Sequence, residues 1–373
     1  MILLAVGPGP GALRAPEIAR ELASVGHRVE VALEPGAECF VGSAAFVAFS
    51  SVVQKATEPP EAVIFAPATA GTLARLAHGL GDRTVERAYT AGIRPALVAP
   101  ELDEATHKHP AVRENISLLR KDEYRVLDDA GEEMASPEEI VGEVLNTLGG
   151  APSGLRILVT AGGTREPIDN VRVVSNRSSG KMGRAIAREA YRSGAEVTVV
   201  AANMEKKEPG VRWVDVETYE DIEEVTTRLA PHADALIMAA AVSDFAPSTV
   251  EEGKIRRSGS EELNLKLVPT ADILKAVRES NKELFVVGFA ATHGDPLPDA
   301  REKLATKGID LVVGNDISLE GSGFGSEENE VVIVGEAGEH FVPRAPKTVV
   351  AYAILNALTQ EMGQKNRQEL KEA

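Results

Sequence analysis

The feature that most constrains this chain is the alternation of short apolar runs with amphipathic helical stretches. ILLAV, VEVAL, AVIFAP and ALVAP are almost continuously apolar, and stretches such as APEIARELASVG follow them. A strand of this kind must be buried on both sides, as parallel strands are when crossover helices cover the sheet. The sequence therefore predicts an α/β fold built on doubly wound, Rossmann-like parallel sheets.

The alternation is interrupted at GGAPSG, residues 149 to 154, and then restarts. A chain of 373 residues has the length for two domains. GGAPSG is therefore predicted to be a linker, and the strongly polar end of the chain is expected to fray. The predicted boundaries are a first domain at 1–148, the linker at 149–154, a second domain at 155–362 and a polar tail at 363–373.

Composition excludes several classes of protein and site. The chain is 43% hydrophobic, has no apolar run of membrane-spanning length and starts without a basic leader. We therefore expect no membrane span, no signal peptide and a cytoplasmic location. The one cysteine, Cys39, rules out an intrachain disulfide framework and a thiolate zinc site, and it is expected to be a small buried residue. Because the seven histidines show no metal-ligand spacing, a loosely held Mg²⁺ is the metal to expect.

The net charge of -17 disfavours broad contact with nucleic acid or an anionic membrane, so an anionic substrate would have to meet a local cluster of cations. SNRSSGKMG, residues 175 to 183, is one candidate, because it joins an extended segment to a predicted helix. Ser178 or Ser179 is predicted to cap this helix, whose free N–H groups suit a phosphate together with Lys181. A plain helix cap after a turn explains the loop equally well when it is viewed alone.

Two further loops lie at the carboxyl ends of predicted strands, where open α/β sheets bind ligands. TAGGTREPID follows one strand, and AAAVSDFAP carries Asp244 just past another. Neither loop is a Walker A motif or a GxGxxG dinucleotide motif. Asp244 suits a metal or a hydroxyl group, and a cap or a turn explains it as well. Lys254, Arg256 and Arg257 suit a phosphate or carboxylate, or else form a solvated edge.

Several longer motifs run in a fixed order through the second part of the chain, from about Leu155 to Leu358. They are TAGGTREPID, VRVVSNRSSGKMG, AAAVSDFAP followed by KIRR, GFAA, REKLATKGIDLVVGND and GFGSEENEVVIV. In this order they resemble the motifs of phosphopantothenate–cysteine ligases. The resemblance implies the joining of 4'-phosphopantothenate to cysteine with Mg²⁺ and CTP, or ATP in some relatives. The reaction would pass through an acyl-cytidylate and release pyrophosphate and CMP.

The resemblance also assigns site residues. Asn176, Arg172 and Ala240 would bind the substrate, with Asn176 at the pantothenate part and Arg172 close by. Asn176 and Lys254 would be catalytic. Because a carboxylate that attacks phosphorus brings two anions together, cations must neutralise the developing charge, and Lys254 is predicted to do so. The predicted nucleotide contacts are Ser178, Ser179, Gly180, Lys181, Met238, Ala239, Ala240, Asp244, Lys254, Thr270, Ala271, Asp272, Ile273, Phe289, Lys303 and Lys307. Viewed singly, Phe289 suits the core and the two last lysines suit a solvated helix face.

The sequence departs from the ligase pattern at three places. Asn170 replaces the usual proline, and Thr292 replaces the usual glutamate. The segment 269–273 reads Pro-Thr-Ala-Asp-Ile, where the family usually has Lys-Thr/Asn-Pro-Asp-Ile. These changes touch binding loops, so they predict altered affinity before lost activity, and the choice between CTP and ATP stays open. The resemblance further implies a homodimer or a larger oligomer, in which a β-rich extension of each ligase domain helps close the partner's site.

Residues 1–148 resemble, less faithfully, the flavin-dependent phosphopantothenoylcysteine decarboxylase half of bifunctional coenzyme A biosynthesis flavoproteins. GPGPGALRAPEIARELASVGHRVEVAL, APATAGTLARLAHGLGD, HPAVRENISLL and ASPEEIV follow the order of that family. The family's histidine ahead of APAT and its product-protonating cysteine have no counterpart. Asp103 replaces a substrate-binding asparagine, and Gly71 and Arg83 replace asparagines that contact flavin. An inactive domain without FMN, retained for assembly or stability, is therefore predicted.

Three other functions stay open at this point. A bifunctional enzyme whose decarboxylase uses other residues would be yellow when purified. A Rossmann oxidoreductase would bind NAD(P), although the missing GxGxxG argues against it. A non-catalytic nucleotide-binding regulator would retain binding after Lys254→Ala, whereas the ligase would lose turnover.

Overall fold

A computed structural model describes the chain over residues 1–54, 56–80, 95–128, 132–204, 208–256, 262–318 and 325–372, without the side chains of 366–372. Arg83 and Arg257, both named above, lie outside these residues. The chain divides into two units, Met1–Leu148 and Gly149–Ala373. No helix among the described residues is long and apolar enough to cross a membrane.

The first unit is built on a six-stranded sheet with the order β3-β2-β1-β4-β5-β6. All five strand pairs are parallel. From β1 the chain adds β2 and β3 on one side, and it then returns to add β4, β5 and β6 on the other side. The strand order therefore reverses between β1 and β4. The strands are β1 Ile2–Val6, β2 Val29–Leu33, β3 Ser51–Val52, β4 Ala62–Ala68, β5 Ala96–Pro100 and β6 Arg125–Val126.

Helices cover both faces of this sheet, which explains why its strands are apolar at successive positions. Leu4 of β1 belongs to a core with Ile18 and Ile140, whereas its neighbour Leu3 belongs to the opposite core with Leu73 and Leu119. Side chains alternate between the two faces of a strand, so both faces need apolar residues. The helices are α1 Ala15–Ser24, α2 Ala70–Ala77, α3 Glu104–Lys108, α4 Pro110–Lys121 and α5 Pro137–Leu148.

The second unit is built on an eight-stranded mixed sheet with the order β11-β10-β7-β12-β15-β16-β17-β18. The first six of these strands are parallel, and the strand order reverses between β7 and β12. They are β7 Arg156–Gly162, β10 Glu196–Ala202, β11 Arg212–Val216, β12 Ala235–Met238, β15 Phe285–Thr292 and β16 Leu311–Asp316. The predicted α/β class with doubly wound sheets is confirmed for both units.

The far edge of the second sheet differs from the predicted parallel arrangement. β17, Glu328–Gly335, pairs antiparallel with β16 and with β18, Gly338–Pro346. The turn between β17 and β18 has only two residues, Glu336 and Ala337, and Gly338 adopts a left-handed φ of 121° directly after it. A turn of this length reverses the chain and leaves no room for the crossover helix that a parallel pair requires.

Helices cover both faces of the second sheet as well. α6 Lys181–Arg192 and α10 Lys347–Glu372 pack on one core, and α7 Tyr219–Leu229, α8 Ile273–Ser280 and α9 Leu297–Lys307 pack on the other. The polar end of the chain was expected to fray, but α10 continues to Glu372. The Glu, Lys, Gln, Arg and Leu residues of this end have high intrinsic helix propensity, which favours continuation of the helix.

Two small hairpins stand apart from the large sheet. β8 Arg165–Pro167 pairs with β9 Val173–Ser175, and β13 Phe245–Pro247 pairs with β14 Leu267–Pro269. Backbone bonds such as that from the Glu251 N–H to the Ile168 carbonyl, at 3.1 Å, join the two hairpin regions. These regions expose several large apolar side chains: Val171, Val173, Phe245, Val250, Leu263, Leu265, Leu267 and Val268.

Candidate functional site

A cavity of about 890 Å³ opens at the carboxyl end of the second sheet. It lies beside the point where the strand order reverses, between β7 and β12, which is where open α/β sheets bind their ligands. The segment that follows β12, the end of β15, the loop 175–183 that leads into α6, and residues of α9 form its walls. Its volume suits a nucleotide-sized ligand.

Most of the predicted site residues line this one cavity, although they are far apart in sequence. Two do not, because Arg172 and Lys254 are absent from the lining. The predicted residues that the cavity brings together are Asn176, Ser178, Ser179, Gly180, Lys181, Met238, Ala239, Ala240, Asp244, Thr270, Ala271, Asp272, Ile273, Phe289, Lys303 and Lys307.

The loop 175–183 differs in detail from the predicted serine-capped helix start. Gly180 is the N-cap of α6, with a left-handed φ of 72°, and neither serine provides a side-chain cap. Ser178 Oγ instead accepts a hydrogen bond from the Gly180 N–H at 3.4 Å. Because glycine adopts this conformation without strain, the chain turns sharply into the helix, and the first N–H groups of α6 keep no side-chain acceptor from Ser178 or Ser179.

The segment 239–244 forms a wall that hydrogen bonds hold in place. The Ala240 N–H donates to Thr160 Oγ1 at 3.2 Å, and the Ser243 N–H donates to Thr164 Oγ1 at 3.1 Å. The predicted substrate-binding residue Asn176 donates from Nδ2 to the Ala241 carbonyl at 3.1 Å. These bonds place Asn176 against the wall that carries Ala240 and so pre-organise that end of the cavity.

One pair of lysines comes from α9. Lys303 Nζ donates to the Phe289 carbonyl, and Lys307 forms an ion pair with Asp272. Burial lowers the pKa of Lys303, and repulsion from Lys307 lowers it further. Burial by itself would raise the pKa of Asp272, but the hydrogen bonds from Lys307 and from the Lys275 N–H lower it below its usual value. Both lysines therefore face the cavity rather than forming a solvated helix face, and an anion bound there would stabilise the charge on Lys303.

A second pair of lysines lies in the same cavity, and the sequence identified only one of them. Lys181 Nζ donates to the Gly325 carbonyl at 2.7 Å and to Glu327 at 2.6 Å. Lys347, the first residue of α10, is 7% exposed and donates to the Ser326 carbonyl. Burial and the nearby Lys181 both lower the pKa of Lys347. Nothing in the pattern PRAPKTVV separates this lysine from a solvated residue at a helix start.

Two buried asparagines, Asn315 and Asn329, also line the cavity and were missed. Asn315 lies near the end of β16, where the carboxyl ends of parallel strands meet. That position is a signal of a binding residue. Asn329 lies in β17, whose antiparallel direction the sequence pattern does not reveal.

Arg172 and Lys254 belong to a cluster of residues that do not line the cavity. The Asp169 carboxylate is 3% exposed and accepts hydrogen bonds from the N–H groups of Val171 at 2.8 Å and Ile255 at 3.0 Å. The Arg172 guanidinium donates to Asp169 at 2.7 Å and to the Ile255 carbonyl at 3.2 Å. Arg172 and Asp169 thus hold the segment that carries the exposed Lys254.

The described residues contain no group of three or more His, Cys, Asp or Glu side chains placed to hold a metal. Mg²⁺ in nucleotide sites binds through one or two carboxylates and the phosphates, and it keeps several waters. Asp244 is exposed and lines the cavity, so one carboxylate is available for such an ion. This donor set fits an Mg²⁺ that arrives with a nucleotide.

Comparison with known proteins places the chain in a family. A family model described as "DNA/pantothenate metabolism flavoprotein C-terminal domain" matches residues 152–362, and one described as "Flavoprotein" matches residues 1–149. The coenzyme A biosynthesis bifunctional protein CoaBC of Vibrio cholerae is 32% identical over 393 residues, covering 97% of this chain and 98% of the relative. The chain belongs to the CoaBC family.

Two further proteins are similar to this chain, and the first of them supports the assignment. CoaBC of Mycobacterium tuberculosis is 33% identical over 400 residues, covering 96% of each chain. A crystal structure of the C-terminal domain of a CoaBC protein is 33% identical with a TM-score of 0.49, covering 57% of this chain and 98% of that one.

The structure also places three residues of the first unit that were named above from the sequence, Asp103, Gly71 and Cys39. The Asp103 carboxylate accepts hydrogen bonds from the Thr106 N–H and Oγ1, both at 2.8 Å, and so caps α3. Gly71 lies in the first turn of α2. The expectation of a buried Cys39 is wrong, because Cys39 is exposed at the end of a short 3₁₀ turn in which Ala37 takes the buried position.

Proposed function

We propose that this chain acts in coenzyme A biosynthesis as a phosphopantothenate–cysteine ligase that uses CTP and Mg²⁺. Membership of the CoaBC family supports the pathway. The observation that carries the ligase assignment is the cavity of the second unit, in which two lysine pairs and the start of α6 surround one space. In a chain of net charge -17, such a concentration of cations and N–H donors suits two anionic substrates.

The proposed reaction has two steps. The carboxylate of 4'-phosphopantothenate attacks the α-phosphorus of CTP, which releases pyrophosphate and leaves an acyl-cytidylate. The amine of cysteine then attacks the acyl carbon, loses a proton and releases CMP. Because both reactants of the first step are anions, the cations must reduce their repulsion. Mg²⁺, held in part by Asp244, would supply further positive charge at the phosphates.

The proposal divides the cavity between the substrates. Lys303 and Lys307, together with Phe289 and residues 270–273, would hold the nucleotide. Asn176 and Ala240 would orient the pantothenate part, and the loop 178–181 would lie along phosphates. Lys254 would neutralise the charge that develops at the α-phosphate.

A homodimer is the proposed assembly, formed through the exposed apolar side chains of the β8–β9 and β13–β14 hairpin regions. Scattered apolar residues are normal on a surface, but a contiguous exposed patch marks an interaction site. A second copy fits because these hairpins also carry Arg172 and the segment of Lys254, which lie outside the cavity of their own copy. Docking of two copies would bring these cations toward a partner's site.

The first unit is proposed to be inactive as a decarboxylase, because a histidine and a cysteine needed for that chemistry have no counterpart. The alternative is a bifunctional enzyme that also decarboxylates phosphopantothenoylcysteine with FMN, and its CoaBC relatives keep that alternative open. A cytoplasmic location is proposed from the substrates, since nucleoside triphosphates and thiols are maintained there.

The deciding experiment measures pyrophosphate release by the full chain with 4'-phosphopantothenate, cysteine, Mg²⁺ and either CTP or ATP. The ligase predicts release that requires 4'-phosphopantothenate, and the preferred nucleotide identifies the cosubstrate. Lys254→Ala should abolish turnover while CTP binding persists, whereas Lys275→Ala, an exposed lysine of α8, should leave turnover unchanged. No release with either nucleotide would exclude the ligase, and formation of phosphopantetheine from phosphopantothenoylcysteine would establish the bifunctional alternative.

A further inference from the structure

We infer that the carboxylate of Glu101 occupies the anion-binding position of the first unit, and that this unit therefore does not take FMN through its phosphate. The family model of this unit implies a flavin ligand. Such a ligand would bind at the carboxyl end of the sheet, where the strand order reverses between β1 and β4. The loop at residues 7–12, which follows β1 and enters a 3₁₀ turn and then α1, is the place where N–H groups would meet a phosphate.

The loop has almost no N–H group to offer a ligand. Pro8 and Pro10 carry no N–H at all. The Gly7 N–H donates to the Pro67 carbonyl at 3.1 Å, and the Ala12 N–H donates to the Gly9 carbonyl at 3.0 Å. Of the six residues, only Gly9 and Gly11 have an N–H group that these bonds leave for a ligand. The Gly11 N–H donates to an acceptor from elsewhere in the chain.

That acceptor is Glu101. The Gly11 N–H donates to both of its carboxylate oxygens, at 2.9 Å and 3.1 Å. Glu101 directly follows β5, and its own N–H donates to the Ala68 carbonyl at the end of β4, at 3.0 Å. The residue is therefore anchored to the strand ends on the far side of the site, and its side chain reaches back to the loop.

The Glu101 carboxylate fits closely against the two glycines of the loop. A Cβ atom added at Gly9 would lie 2.2 Å from one Glu101 oxygen, and one added at Gly11 would lie 3.2 Å from the other. Space that glycines leave for the close approach of a phosphate is here filled by a carboxylate of the same chain. A carboxylate in van der Waals contact with the loop also repels any second anion brought to the same N–H groups.

A second carboxylate adds to this repulsion. Glu34 follows β2, is 5% exposed and accepts a hydrogen bond from Thr72 Oγ1 at 3.3 Å. Thr72 lies in the first turn of α2, which follows the carboxyl end of β4. The loop that leads into α1 and the first turn of α2 are thus each contacted by a carboxylate of the chain, so the residues present do not fit the phosphate of FMN.

Equilibrium dialysis of the full chain against FMN and against riboflavin, which lacks the phosphate, tests the inference. The wild-type protein is expected to bind FMN no more tightly than riboflavin. Glu101→Ala removes both the charge and the volume, and should raise FMN affinity at least tenfold with riboflavin unchanged. Glu101→Gln removes the charge and retains the volume, so it should give a smaller gain. Glu114→Ala, which removes an exposed carboxylate of α4, is the matched control and should change neither affinity.

Two results would overturn the inference. One is a wild-type protein that purifies with FMN or binds FMN tenfold more tightly than riboflavin. The other is a Glu101→Ala protein with an unchanged circular dichroism spectrum and no gain in FMN affinity. If Glu101→Ala does not fold, Glu101→Gln decides, because the loss of charge alone should raise FMN affinity at least threefold. Ligase turnover is not part of this readout, so the result is independent of the proposed ligase activity.

Discussion

Replacing Lys303 with methionine should separate binding of the nucleotide from stability of the fold. Methionine has a similar length, but it carries no charge and cannot donate the hydrogen bond that Lys303 makes to the Phe289 carbonyl. A hydrogen bond between a charged group and its partner contributes about 1.5–3 kcal/mol, so loss of this cation should weaken CTP binding roughly ten- to a hundredfold.

The same substitution should leave the fold almost unchanged. Burial lowers the pKa of Lys303, which means that the folded protein disfavours its charge. Relief from that unfavourable burial offsets the lost hydrogen bond, and a hydrophobic side chain of similar volume is well tolerated. The free energy of unfolding should therefore change by less than about 1 kcal/mol, or about 4 °C in Tm for a unit of this size.

Calorimetric titration with CTP and a thermal melt of the same sample provide the two measurements. Lys275→Met is the matched control, since Lys275 lies exposed on α8 and makes a surface ion pair with Glu279. Weaker CTP binding with an unchanged Tm is the expected result. A Tm that falls by more than about 8 °C with unchanged CTP affinity would refute the reasoning, because Lys303 would then act only to hold α9 against β15.

Three further predictions follow from the same contacts. Burial lowers the pKa of Lys303 and of Lys347, and a bound anion would raise both values again. CTP binding should therefore take up protons, and it should weaken as pH rises toward the usual lysine pKa of about 10.4. Calorimetric titrations in buffers of different ionisation enthalpy would detect the proton uptake, and proton release would contradict it. Gly183→Ala should lower stability by about 1–3 kcal/mol, since its Cβ would lie 2.5 Å from that of Ala161; Gly42→Ala, with nothing within 4 Å, should have little effect in the same urea titration. Phe245→Asp on the exposed hairpin should convert a dimer to a monomer in light scattering, and a wild-type monomer would exclude the proposed assembly.

The pattern of apolar residues along the chain predicted most of the fold. Strand and helix periodicities depend on neighbouring residues. The successive apolar residues Leu3 and Leu4 therefore already indicate that β1 contributes to two cores, one on each face of the sheet. The antiparallel direction of β17 was not visible, because an apolar run looks the same in either direction. The helical end of α10 was not predicted for a related reason, since a polar sequence gives no apolar periodicity.

The candidate site was partly visible in the sequence as well. Asp244, Phe289 and the loop 175–183 stand in motifs whose order carries the family resemblance, and all of them line one cavity. Arg172 and Lys254 stand in the same motifs yet lie outside that cavity. A motif specifies which residues are present, whereas their distance from a ligand depends on how separate segments pack.

The sequence by itself determined the α/β class, the two sheets and the family, because these depend on local periodicity and on residue types in a fixed order. Only the tertiary structure decided which charges face one another. Lys347 joins Lys181 in the cavity across 166 positions of sequence, and Glu101 meets the Gly11 N–H across 90. Electrostatic interactions and hydrogen bonds depend on distance in space, and the topology of a sheet brings together strand ends that the order of residues along the chain keeps apart.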